Sequence, residues 1–410
     1  MDAGGFNRTG LFMNLVLSID AIQPPLAGIG RYAWELATRL PKHAEIESIR
    51  FTSDGFWRKL PRLQLEAHGS EKYREAPLKN VEMQQSLKTR LRQRFGRIPL
   101  LAMAHAKFMP LATSFQLNAL SRGIFHGPNY FIPKTRLTNV VTMHDLSIYR
   151  FPQWHPRTRI DRMRQLMPVS AQRAQVVLTD SEATRVEVIK EFDLHPDKVR
   201  SVLLGVDHNY FPRKESELTE VLAQYGLSSG RYSLFVSTIE PRKNIANLIA
   251  AYRNLPIATR LQWKLVLVGG KGWQSEEIHA AIDAATAEGW LIYLGFVDQR
   301  CLPYLYAGCR LFTYPSWYEG FGLPIAEAMA SGVPVLTSNC SSMPEVAAGA
   351  AVLVEPGDVV DITEKLQYAL ENETWRSQAI ERGLLRAAQL TWDNCVAGTV
   401  AAYRFAEQQR

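Results

Sequence analysis

Two glutamates, Glu319 and Glu327, stand with seven residues between them in the stretch PSWYEGFGLPIAEAMASGVPV, which starts at Pro315. Gly320, Phe321, Gly322 and Leu323 follow the first glutamate, and Pro324 suits the first turn of a helix, where the N–H it lacks would be unpaired. Gly332 and Pro334 mark where that helix stops. A helix start exposes unpaired N–H groups carrying the equivalent of about half a positive charge, and glycines let a ligand approach the backbone, so the loop is a natural phosphate seat. Carboxylates repel phosphate but accept hydrogen bonds from paired hydroxyls. Glu327, one turn into the helix, can hold a ribose diol, and Glu319 can reach a second sugar. The stretch therefore fits a ligand in which sugar, phosphate and sugar follow one another. Taken singly, each glutamate has a plainer use: Glu327 complements the helix dipole and Glu319 caps a turn, each worth under about 1 kcal/mol.

Further candidates fall just after apolar runs. Arg242 and Lys243 in EPRKN can answer negative charge on a diphosphate. His144 ends an apolar run, with Asp145 beside it to orient the ring; His126 in FHGPNY is a weaker candidate of the same kind. Gly28 and Gly30 open GIGRYA, and Thr238 precedes the cationic pair.

Such residues need a scaffold that collects them on one edge. Short runs rich in β-branched residues alternate with helical patterns along the chain, which predicts parallel sheets covered by helices on both faces. Strands are read at MNLVLSID, IESIRFTS, GIFHG, NVVTMHD, VVLTD and VRSVLLG, then at YSLFVST, WKLVLVGG, LIYLGF, RLFTYPS, VPVLTS and AAVLVEP. A polar, turn-rich segment beginning GVDHNYFPRKE separates the two sets. The fold class expected is α/β: two doubly wound Rossmann-like domains facing a cleft, one over 13–205 and one over 206–387, with a final helix over about 388–410 packed back on the first. In such sheets ligands sit beyond the carboxyl ends of the strands, where these candidates lie.

Composition bounds the partners. The 410 residues carry 47 Lys and Arg against 40 Asp and Glu, a formal charge of +7, so an anionic partner is expected. No apolar run approaches the roughly 18 residues of a spanning helix. The four cysteines show no metal-ligand spacing and read as reduced packing residues of a cytoplasmic protein. Lys88, Arg90, Arg92, Arg94, Arg97 and Lys107 alternate with leucines and Phe95. That mixture suits either a helix lying on an anionic membrane surface or a solvated helix with its apolar stripe on its own domain. Nothing accompanies the charge that would mark a nucleic-acid partner. Residues 1–12 precede Met13, a second possible start.

The pattern of Glu319, seven residues and Glu327 around Gly-Phe-Gly-Leu-Pro closely resembles the donor motif of the retaining family-four glycosyltransferases, of GT-B fold. GIGRYAWEL, TMHDLS, LTDSEATRVEVI, LLGVDHNYFP, STIEPRKNIANLIAAY, LGFVDQRCLPYLYAGC and SSMPEVAAGAAVLVEPGD are similar to the family's other segments, in order, from Met13 onward. The resemblance implies that Arg242 and Lys243 clamp the leaving diphosphate, that His144 contacts the transferred sugar, and that Glu319 meets that sugar from the opposite domain. It further implies that Gly28 and Gly30 admit the diphosphate, that Glu327 holds the ribose and that Val297 meets the base through its main chain. Where many relatives carry another arginine, this chain has Ser237 and Thr238, which shifts charge to Arg242 or makes Thr238 a donor to phosphate.

The same resemblance implies a nucleotide-sugar donor, GDP-mannose first and a UDP-hexose or dTDP-rhamnose next. The expected acceptor is a polyprenyl-diphosphate-linked saccharide at the inner face of the membrane, and no Asp-x-Asp motif calls for a metal cofactor. Three rivals stand beside it. GIGRYA fits a nicotinamide fingerprint, but AIQPPLA separates Asp20 from Gly28 where a tight turn should be. A glycoside hydrolase would hold its carboxylates about 5 Å apart and has no use for the cationic pair. A non-catalytic nucleotide-sugar-binding protein would keep the same cleft.

Overall fold

A computed structural model describes residues 12–23, 26, 28–61 and 111–409 of the chain. The basic and apolar stretch from Lys88 to Lys107 lies outside the described residues.

Each run read as a strand is one. The first sheet runs β1 (Met13–Ser18), β2 (Ile46–Ser53), β3 (Phe56–Arg58), β4 (Ile124–Gly127), β5 (Thr138–Met143), β6 (Val176–Thr179) and β7 (Val199–Ser201), in the spatial order β3-β2-β1-β4-β5-β6-β7. The second comprises β8 (Tyr232–Val236), β9 (Lys264–Val268), β10 (Leu291–Gly295), β11 (Leu311–Tyr314), β12 (Val335–Ser338) and β13 (Ala351–Val354), in the order β10-β9-β8-β11-β12-β13. All pairings are parallel except β2 with β3. Strand β3, unread in the sequence, is three exposed residues closing a hairpin through Asp54 and Gly55, too short to show a period. Strands β4, β5, β6, β11 and β12 are buried along their whole length, as parallel strands covered on both faces must be.

Strand order reverses between β1 and β4 in one sheet and between β8 and β11 in the other. At such a switch point the loops diverge and leave a crevice above the carboxyl ends. Both crevices open on one cleft of about 1610 Å³. Two chain crossings join the domains side by side, tied by a parallel bridge between Val206 and Thr391. Gly205 lies so close to the second crossing that a Cβ there would meet the Trp392 nitrogen at 2.1 Å. Beyond it the helix Trp392–Gln408 packs on β5 and β6 of the first sheet.

Candidate active site

The cationic pair is displayed by a single turn. After β8 the chain makes a 3-10 turn over Pro241–Lys243, and Asn244 then takes a left-handed conformation (φ 59°) before the helix Ile245–Asn254. Asn244 donates from Nδ2 to the Pro315 and Pro356 carbonyls, fixing that turn against the segment after β11. Because β11 neighbours β8, that segment carries Glu319 directly onto the pair. Arg242 Nη1 donates to Glu319 Oε2 at 3.0 Å and to the Tyr318 carbonyl at 2.7 Å, and Nη2 donates to Glu240 at 2.8 Å. Lys243 Nζ donates to Glu319 Oε1 at 2.6 Å and to the Tyr314 hydroxyl at 2.8 Å. Burial works to raise the Glu319 carboxyl, but Arg242 and Lys243 outweigh it and hold the group at about 2. Lys243 is drawn below its ordinary value by burial and by Arg242, against the pull of Glu319. Glu319, read from the sequence only as reaching a sugar, lies between the two cations.

The Gly-Phe-Gly loop departs from expectation at its first glycine. Gly320 lines the cleft, but it also packs on the other domain: a Cβ would lie 1.8 Å from the His144 carbonyl oxygen. Its own carbonyl accepts from Ser181 Oγ at 2.7 Å and Thr184 Oγ1 at 3.2 Å, so this glycine seals one domain on the other. Gly322 has φ 100° and starts the helix Leu323–Ala330, a conformation that suits glycine. Phe321 is buried and Leu323 lines the cleft. Glu327, half-buried, faces the cleft beside Tyr306, Tyr210 and Arg31. Burial pushes its carboxyl up to about 7 despite those three neighbours.

Beneath the loop lies His144, buried, at the end of β5. Its Nδ1 is 2.7 Å from Asp180 Oδ2, and its Nε2 donates to the Pro128 carbonyl at 2.8 Å. Asp145, expected to orient this ring, does not: its Oδ1 accepts from the Ser147 N–H and Oγ instead. The reason is register. Met143 pairs with Thr179, so the next residues of β5 and β6, His144 and Asp180, emerge side by side, whereas Asp145 points away. Desolvation opposes charge on His144, but Asp180 more than compensates and raises it above its ordinary value.

Two other expectations are corrected. His126 is fully buried and belongs to the core: Nδ1 meets the Tyr403 hydroxyl at 2.7 Å and Nε2 meets Thr142 Oγ1 at 2.8 Å. Desolvation, with His144 nearby, pushes it down to about 3. Gly30 packs on the Ala21 carbonyl, 2.9 Å from where a Cβ would stand, while Gly28 alone of the two lines the cleft, with open space around it. The Val297 side chain sits in the core, and its neighbours Asp298 and Arg300 line the cleft. Thr238 is at the cleft, as are groups not anticipated: Arg31, Asp207, Tyr210 and Asp180. Arg31 follows GIG directly and pairs with Glu35 at 2.8 Å and with Asp207, so the first loop delivers a cation as well as a helix start.

The cleft thus brings a pair of cations and a helix start to the join of two Rossmann-like domains, with carboxylates on both flanks. The family Glycosyl transferases group 1 matches residues 221–386, the half that carries the cationic pair and both glutamates. The O-antigen chain mannosyltransferase B of Escherichia coli is 37% identical over 393 residues, covering 96% of this chain and all of that one. The chain belongs to the group 1 glycosyltransferases. Its fold is GT-B, in line with a sucrose-phosphate synthase from Thermosynechococcus elongatus (TM-score 0.65, 18% identity, 96% of this chain and 98% of that one). Anabaena HepE, solved with UDP-glucose, is similar too (TM-score 0.67, 17% identity, 95% of this chain and 99% of that one). Glu240 and Glu319 hold Arg242 and Lys243 in place where they line the cleft.

Proposed function

We propose that this glycosyltransferase moves mannose from GDP-mannose to a lipid-linked saccharide with retention of anomeric configuration, in surface polysaccharide synthesis. The observation that carries the reading is the 37% identity over nearly the whole chain to an O-antigen chain mannosyltransferase. Supporting it, Glu327, Arg242, Lys243, His144 and Asp145 together line one cleft of about 1610 Å³.

In the reaction the bond between the anomeric carbon and the β-phosphate oxygen breaks as the acceptor hydroxyl attacks from the same face. The departing phosphate oxygen takes the acceptor proton, and GDP leaves. Arg242 and Lys243 carry the charge that appears on the diphosphate, so no bound metal is required in this scheme. Glu319 keeps both cations aimed, and Glu327 accepts from the ribose hydroxyls. Asp180 holds the proton that His144 shares, fixing a polar wall beside the sugar.

The test offers the full chain GDP-mannose, UDP-glucose and dTDP-rhamnose with a polyprenyl-diphosphate saccharide, with and without EDTA. GDP-mannose is expected to turn over fastest, to give an α-linked product by NMR coupling, and to be insensitive to EDTA. Faster turnover of another donor, an inverted product, or loss of turnover on chelation overturns the corresponding part.

A further inference from the structure

Transfer needs a second substrate, and its place follows from the first. The anomeric carbon is one bond from the phosphate held at Arg242. The nucleoside reaches toward Glu327, so the acceptor hydroxyl must arrive from the other side of the cationic pair. There the cleft is walled by Asp145 and Arg159 from one domain and by Trp273 from the other. Asp145 uses only Oδ1 in its bonds to Ser147; its Oδ2 has no hydrogen bond among the described residues. Its charge is felt by Arg242 on one side and by Arg159 on the other, so it marks where the two parts of the cleft meet. The Arg159 guanidinium lies 6.0 Å from the Trp273 ring centre. Trp273 is held in place across the domain boundary, donating from Nε1 to the Trp154 carbonyl at 2.5 Å.

His155, whose ring lies 6.2 Å from that of Trp273, is 6% exposed and does not line the cleft; neither ring nitrogen has a hydrogen-bond partner among the described residues. Asp145 offers an acceptor oxygen and Arg159 a donor at the cleft, as the hydroxyls of a saccharide require, and an indole wall suits the apolar face of a sugar ring.

We propose that Asp145, Arg159 and Trp273 form the acceptor subsite and hold a neutral saccharide by its hydroxyls. Because Trp273 comes from the second domain, the subsite is complete only with the domains together. The assignment rests on the transfer activity proposed above, but it touches no nucleotide and so can fail separately.

The experiment is saturation-transfer NMR on the full chain, with methyl α-glycosides of mannose, glucose, galactose and N-acetylglucosamine as probes. The protein is first saturated with whichever of GDP, UDP or dTDP it binds, which settles the donor reading independently. At least one glycoside is expected to show transfer in the wild type. Arg159→Ala, at an exposed position, and Trp273→Ala should each reduce that transfer at least fivefold while changing the nucleotide Kd less than twofold. No transfer from the wild type, unchanged transfer in both variants, or a nucleotide Kd that weakens in parallel overturns the proposal.

Discussion

The two glutamates that frame the Gly-Phe-Gly loop are alike in sequence and opposite in environment. Glu319 is nine-tenths buried between two cations and held at about 2. Its stabilisation is complete above the ordinary carboxyl value of 4.5 and is lost as pH falls from there toward 2, an effect of about 3 kcal/mol. Glu327 is half-buried and pushed up to about 7, so the sign reverses. Between 4.5 and 7 the unfolded chain gives up this proton while the folded chain keeps it, and stability falls as pH rises. Allowing for its partial exposure, the loss is on the order of 1–2 kcal/mol. Glu327→Gln should therefore melt higher than the wild type at pH 8 and level with it at pH 4.5. If a ribose diol needs the ionised carboxylate, nucleotide affinity of the wild type rises from pH 6 to pH 8, and that of Glu327→Gln stays low and flat. Thermal melts and calorimetric titrations at the three pH values check this; a wild-type affinity independent of pH removes Glu327 from the nucleotide site. Removing Glu319 instead leaves buried Lys243 without its carboxylate and Arg242 with Glu240 alone, and breaking a buried pair in this way typically destabilises by about 3–5 kcal/mol. Slow turnover of Glu319→Ala is thus interpretable only beside its melting curve.

Among elements, strands were legible and their neighbours were not. Parallel strands buried on both faces must be apolar throughout, so runs such as NVVTM and VVLT announce themselves, while the exposed β3 does not. Sequence order, however, does not say which strand ends lie together. That Asp180 and not Asp145 partners His144 follows from the β5 to β6 register, visible only once the sheet is assembled. His126 was misread for a similar reason: the helix that covers it lies 277 residues further on. The helix Glu182–Phe192 shows what assembled elements add. Ser181 caps it by accepting from the Thr184 N–H at 3.1 Å, the usual duty of serine there, and the same Oγ donates to Gly320 of the other domain. Glu345, also of the other domain, accepts from the Glu182 and Ala183 N–H groups. Ser181→Ala removes a cap worth about 1 kcal/mol and a hydrogen bond of similar size, so a loss of roughly 2 kcal/mol is expected by urea denaturation. A loss under about half that would mean that Glu345 caps the helix alone.

On the scale of the whole molecule, the last helix reaches across the division between domains. Trp392–Gln408 follows the second sheet in sequence yet packs on the first, burying Trp392, Val396, Val400 and Tyr403. Ion pairs from Arg39 to Asp393 (2.6 Å) and from Arg404 to Glu45 (2.9 Å) fasten it further, though such exposed pairs add little. Each large buried side chain contributes about 1.5–3 kcal/mol, so the four together are worth about 6–12 kcal/mol, comparable to the entire net stability of a domain. Removing the helix also strips the Tyr403 hydroxyl from His126, leaving a buried imidazole nitrogen unpaired at the centre of the sheet that carries His144. A chain ending at residue 388 should consequently lose native order in its first half while the second sheet, on which the helix does not lie, persists. Hydrogen exchange distinguishes the two: amides of β4, β5 and β6 are expected to exchange near the unfolded rate, and those of β8, β11 and β12 to stay protected. Protection retained in β5 and β6 would show that the first domain closes its core without the helix, and the two crossings at Val206 and Thr391 would then be a tether and not a structural requirement.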